Sequence, residues 1–295
     1  MKKLDYQGCG SVTEFAAWMA KKLRDDADMP HRYTVARTGK DAVFSNLAAA
    51  FHSYHWPFRE NKGDLARHTF AENAAALGGI SKRLRNALEA GDKDAVLVEC
   101  LRVMYWGGVS NGNADWLREN VDNLVGQLRE TSMLLAGDDD HQFASLKRPL
   151  RFNAGMTKVY SLLNDGFIIY DSRVAAALAW LVLVWAYESK LNSIPAELQF
   201  ACMSAKEGMN AKIKKCRNPS AGNFTFVALN NHHERHAQWN MRANWLLAAV
   251  LDQVQANTSP FGSGADAPRK LESALFMWGY DLSQNLPRAP LANAA

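Results

Sequence analysis

The amino-acid sequence predicts an all-α fold, and three observations carry that reading. Apolar residues recur at helical spacing along three long stretches: Phe15, Trp18, Met19 and Leu23; Val96, Val98, Leu101, Val103 and Tyr105; Trp245, Leu246, Ala249, Val250 and Val254. Alternation of apolar and polar residues at a period of two, the mark of a half-buried strand, is scarce. The longest apolar run, Val174 to Tyr187, suits a buried helix and falls short of the roughly 18 residues of a membrane span.

In chain order the pattern predicts helices over 11–25, 41–54, 64–77, 81–90, 93–107, 113–134, 157–163, 172–189, 196–214, 234–256 and 268–283. Clusters of Gly, Pro, Asn and Asp punctuate them at 55–63, 106–113, 136–143, 164–167, 216–224 and 257–268. None of these breaks is long enough for a flexible interdomain linker. The expectation is one two-lobed unit over 1–295, with a helical lobe at about 60–165 and a second lobe from 1–59 plus 166–295.

With 48% hydrophobic and 22% charged residues, the 295-residue chain can bury a substantial core, which excludes a disordered protein. Its net charge of +4 is compatible with a polyanionic partner. Cys9, Cys100, Cys202 and Cys216 form no CxxC pair, so neither a structural zinc nor a cysteine-held iron–sulfur cluster is expected; the reading calls for no metal and no cofactor. The start "MKKLDYQGCG" has no apolar stretch after its lysines, so a cytoplasmic protein without a secretory leader or membrane contact is expected.

The stretch "NAGMTKVYSLLNDGFIIYDSRVAAALAW" concentrates the chemistry. A helix over "TKVYSLL" carries the chain about 12 Å from Lys158, at about 1.5 Å per residue. "NDG" turns it, and "FIIYD", too β-branched and aromatic for a helix, recovers roughly 16 Å if extended. Asp171 can thus return towards Lys158. It also stands where an N-cap belongs, immediately before the apolar helix, and a capping aspartate explains itself without catalysis. Asn153, Gly155 and Thr157 form a compact turn ahead of Lys158 whose backbone N–H groups can hold a phosphate.

The turn, the lysine and the returning aspartate resemble the helix-hairpin-helix DNA glycosylase superfamily, in its bacterial branch with an 8-oxoguanine DNA glycosylase fold. The family hairpin "GxGxK" is matched by Gly155 and Lys158, and its helix-leading aspartate by Asp171; the first glycine is missing and only thirteen residues separate lysine from aspartate. A second stretch, "VECLRVMYWGGVSNGNADWLREN", is similar to the helix and asparagine-rich loop with which these enzymes enter the duplex. On that match Asn111 and Asn113 fill the gap left by the everted base or contact its orphaned partner. From the residues alone, the same loop is an ordinary helix–helix connection.

The resemblance implies a two-lobed helical bundle that cleaves an N-glycosidic bond in double-stranded DNA containing a damaged or modified base. Asp171 stabilises the oxocarbenium-like sugar, and Lys158, neutral when it attacks, is a possible nucleophile that would also permit strand nicking. The base must be flipped into a pocket, for which Trp56, Phe58, Tyr105, Trp106, Trp239 and Trp278 are candidates. Lys147, Arg148 and Arg151, and beyond them Lys212, Lys214, Lys215 and Arg217, are candidate phosphate contacts, or solvated charge clusters. In "NNHHERHAQWN" the spacing of His232 and His236 does not make an HExxH zinc motif; Arg235 and His233 are the candidates there for nucleic-acid contact. A monomer is expected, serving either genome repair or the removal of hypermodified phage bases. The alternatives are a nucleoside or nucleotide N-glycosidase of the queuosine-salvage type and a non-catalytic helical DNA-binding module.

Overall fold

The computed structural model describes residues 1–58, 66–146, 148–207, 214–262 and 264–286. Among them the protein is mostly helical, as the periodicity predicts. The helices are α1 (Lys3–Gly8), α2 (Gly10–Lys22), α3 (Leu47–His52), α4 (Phe70–Ala90), α5 (Lys93–Trp106), α6 (Asn113–Glu119), α7 (Val121–Leu135), α8 (Met156–Leu163), α9 (Ser172–Glu188), α10 (His233–Leu251) and α11 (Ala267–Trp278). One antiparallel ribbon, β1 (His31–Thr34) with β2 (Asp41–Phe44), pairs His31 with Phe44 and Thr34 with Asp41. No helix among the described residues is long and apolar enough to cross a membrane.

Five of the predicted helices are corrected. The segment 41–54 is strand β2 followed by α3, because Asn46 ends the ribbon and its side chain accepts from Ala49 N, starting a new helix. The predicted gap between 77 and 81 is absent. Leu77, Ile80, Leu84 and Leu88 stay in phase through Gly78 and Gly79, so their burial outweighs the low helix propensity of the glycines. A capping box of Thr69 and Glu72 starts this helix, and Gly91, at φ +71°, ends it. The predicted helix 113–134 is two, broken at Asn120. The predicted helix 196–214 is a single 3-10 turn at Ala196–Leu198; the described chain after it is not helical, and Cys202 bridges in parallel to Ala228. Lys212 lies outside the described residues, as does Lys147.

The chain divides into two compact units. The first comprises Met1–Lys3, Tyr54–Ile169 and Asn231–Asn244. In it α4, α5, α7 and α8 pack on one another, with Leu84, Val96, Cys100, Val103, Leu124, Leu128 and Val159 fully enclosed. The second comprises Leu4–Ser53, Tyr170–Asn230 and the chain from Trp245 onward. Its centre is α9, apolar on nearly every face and therefore buried all round, against which α2 and α11 pack.

At the end of α11, Gly279 approaches the first turn of α9 so closely that a Cβ there would collide with the carbonyl of Arg173. Backbone cannot step aside as a flexible side chain can. Gly279→Ala is expected to destabilise the protein by about 1–3 kcal/mol, read as a lower urea midpoint with an unchanged slope.

Candidate functional site

Within the first unit, the turn ahead of Lys158 is organised by Asn153. Its Oδ1 accepts from Gly155 N at 2.9 Å and Met156 N at 3.0 Å, while its backbone oxygen accepts from Thr157 N at 3.0 Å. Lys158 N donates to Gly155 O at 3.0 Å. These four amides, which the sequence offers to a phosphate, are thus engaged inside the turn, where they satisfy the first turn of α8.

The asparagine-rich loop meets this turn directly. Asn113 is buried; its Oδ1 accepts from Asn153 Nδ2 at 2.9 Å and Arg151 Nη2 at 3.2 Å, and its Nδ2 donates to Val109 O at 2.9 Å. Gly155 is required for the fit, since a Cβ there would collide with the Asn113 amide. Asn113 therefore fixes loop to turn, whereas Asn111, two residues earlier, is exposed at the tip. Arg151 lies over the Trp116 ring, 5.3 Å from its centroid, and Arg148 is exposed.

Lys158 is only 5% exposed, and its ammonium donates to Ala154 O at 2.8 Å. The next residue back, Thr157, is wholly buried and gives its hydroxyl to Asn240 Oδ1 at 2.6 Å. Asn240 Nδ2 donates to Ile168 O at 3.1 Å, and Asn244 Oδ1 accepts from Ile168 N at 3.1 Å. Two α10 carboxamides thus satisfy both backbone groups of Ile168 in the "FIIY" segment, which is non-helical as its β-branched residues predict. Thr157 serves this internal frame, as does Asn240, which the sequence reading did not single out.

The aromatic candidates have different environments. Trp56 Nε1 donates to Trp106 O at 2.8 Å, Trp106 Nε1 to Asn73 Oδ1 at 2.7 Å, and Asn73 Nδ2 back to Trp56 O at 3.1 Å. This closed network stands at the C-terminus of α5, where Trp56 flanks Gly108 and Lys158 lies over Gly107. Phe58 is buried in a short bridge to Arg67. Tyr105 is 61% exposed on α5. Trp239, buried on α10, carries the Arg242 guanidinium 5.0 Å from its ring centroid, and Trp278 is a core residue of the second unit. His233 bonds the Phe152 carbonyl through Nδ1, His236 packs edge-on to the Phe152 ring, and Arg235 is exposed.

In the second unit, Asp171 caps α9. Its Oδ1 accepts from Arg173 N at 2.9 Å and Val174 N at 3.2 Å. Beside it, Arg217 is 8% exposed, donating from Nη1 to Ser172 Oγ and from Nε to Tyr280 O at 3.3 Å. Burial pushes this guanidinium down to about 10; Arg173 adds to the effect, and the Asp171 charge opposes it. Arg173 itself stacks on Phe276, 4.1 Å from the centroid. The basic run that reads as one phosphate-binding patch thus holds three environments. Lys214 is exposed, Lys215 pairs with Glu207 at 2.7 Å, and Arg217 belongs to the interior beside Asp171. Among the described residues no three His, Cys, Asp or Glu side chains gather as a metal site. No family model, curated protein or solved structure significantly matches this chain, so the functional reading rests on these residues themselves.

Proposed function

We propose that the protein is a DNA N-glycosylase that everts a damaged or modified base and cleaves its glycosidic bond. The observation that supports this reading best is the burial of Lys158. A lysine ammonium is strongly hydrated and seldom enclosed, so a lysine held almost wholly inside the protein on the first turn of a helix is a candidate for a reactive amine. Thirteen residues later, the chain presents a carboxylate at the head of its most apolar helix.

In the proposed reaction Asp171 stabilises positive charge as the bond from C1′ to the base breaks and its electron pair leaves with the base. The Lys158 nitrogen forms a C1′–N bond as the base leaves and loses a proton to solvent; opening of the sugar ring, with a proton taken up by its ring oxygen, then yields a Schiff base. Trp56, half-buried beside Gly108, is the favoured surface for the everted base. The exposed Arg148, Lys214 and Asn111 are the favoured duplex contacts.

Incubation of the protein with oxidised, alkylated, deaminated and phage-modified duplexes, followed by alkali, is expected to reveal abasic sites from at least one of them. Borohydride should trap a covalent adduct with that duplex, and Lys158→Gln should abolish it. Affinity should fall steeply with added salt, as phosphate contacts require. Base release from free nucleosides at least as fast as from duplexes, with binding insensitive to salt, would favour a nucleoside glycosidase instead; release from neither overturns the enzyme reading.

A further inference from the structure

We propose that Gly107 is the positioning residue for Lys158: the missing side chain at the end of α5 is the slot in which the lysine stem lies, and that slot aims the amine. The proposal rests on Lys158 being the reactive amine of the glycosylase reading. Gly107 is buried and has φ −77° and ψ −6°, a right-handed conformation open to any L-residue. Backbone geometry does not demand glycine there.

Space does. A Cβ on Gly107 would stand 2.6 Å from Lys158 Cδ and 2.8 Å from Cε, well inside van der Waals contact, and 3.2 Å from Val109 Cγ2. The backbone around the slot is held from several sides. Gly107 N donates to Val103 O at 2.9 Å, and the preceding carbonyl, of Trp106, accepts the Trp56 indole at 2.8 Å. The Trp106 ring is itself anchored on Asn73. The base of the lysine is equally fixed, on a turn locked by Asn153 and Asn113. Between two rigid backbones the four-carbon stem is the soft part, so an added methyl at 107 displaces the lysine and leaves the frame in place.

The functional consequence is preorganisation. A free lysine side chain loses up to about 2 kcal/mol of rotamer entropy when it is ordered, and a slot imposes that order before substrate arrives. A signal exists in the sequence only after the fact: Gly107 and Lys158 are fifty-one residues apart, and "WGG" reads as a turn.

The test uses the full chain as wild type, Gly107→Ala, Lys158→Ala and the double variant, with Gly126→Ala, whose Cβ meets nothing within 4 Å, as the control. Acylation of the Lys158 amine by an N-hydroxysuccinimide ester, read by peptide mass, is expected to accelerate in Gly107→Ala and to remain unchanged in the control. Base release should fall about 100-fold with duplex affinity retained, as a misplacement of about 1 Å does. Any stability lost in Gly107→Ala should return in the double variant, where Lys158→Ala removes the colliding atoms. That arm decides even if the single variant does not fold. Unchanged acylation or base release in a folded Gly107→Ala protein, or equal destabilisation with and without the lysine stem, overturns the proposal. A wild-type protein inactive on every DNA, with the acylation change intact, would remove the glycosylase reading and leave the slot.

Discussion

Asp171→Asn is expected to lower the single-turnover rate of base release by about three orders of magnitude or more, with duplex affinity changed by no more than a few-fold. The substitution separates the two duties of this residue. As a cap, Asp171 offers one oxygen to Arg173 N and Val174 N, and the asparagine side chain offers a carbonyl oxygen in the same place, at equal capping strength. Helix α9 and the Arg217 bonds to Ser172 and Tyr280 should persist, while loss of the charge beside the buried Arg217 guanidinium should lower the thermal unfolding midpoint without preventing folding. What disappears is the negative charge. An oxocarbenium-like transition state loses roughly 4 kcal/mol when a preorganised compensating charge is removed, which is about a thousand-fold in rate. A fully active Asp171→Asn protein would remove the aspartate from the chemistry; duplex binding by both proteins with base release by neither is the outcome that the non-catalytic reading requires.

The second large effect concerns stability against pH, in the second unit and outside the proposed chemistry. His31 is 1% exposed inside an aromatic box, stacked 4.4 Å from the Trp278 centroid and edge-on to Trp180 at 5.6 Å and Tyr33 at 5.9 Å. Neither ring nitrogen has a hydrogen bond of ordinary geometry among the described residues. Burial pushes the imidazole down to about 4; the Trp278 backbone oxygen and the charge of Asp281 pull weakly the other way. The folded protein therefore holds His31 neutral, while the unfolded chain takes up a proton near 6.5. The contribution is fully present above pH 6.5 and is lost as the pH falls towards 4, at about 1.4 kcal/mol per pH unit, or about 3 kcal/mol in all.

His31→Phe keeps a flat ring in the box and cannot take up that proton. Urea unfolding of the two proteins at pH 7, 5.5 and 4 should show the variant gaining on wild type by about 3 kcal/mol across the range; carboxylates titrating elsewhere cancel in the difference. A difference independent of pH would mean that His31 is not held neutral.

The residues differ in how far they could be read from the chain alone. Helices α5 and α9 were legible because each carries its signal within one or two turns: a phase of apolar residues, and in α9 an aspartate at the head of an apolar run. The four-residue strands β1 and β2 were not, being too short to show a period of two, nor was the passage of α4 through Gly78 and Gly79. Identity as a cap, a turn former or a helix face is a short-range property that neighbouring residues fix. The environments of Asn113, Thr157, Lys158 and Arg217 were settled elsewhere, since each sits among atoms dozens of residues away, at Asn153, Asn240, Gly107 and Tyr280. Sequence alone determined most of the segments that coil and which side chains could do chemistry. Only the tertiary structure decided which of them are enclosed, because burial and close approach depend on packing between segments that no local pattern records.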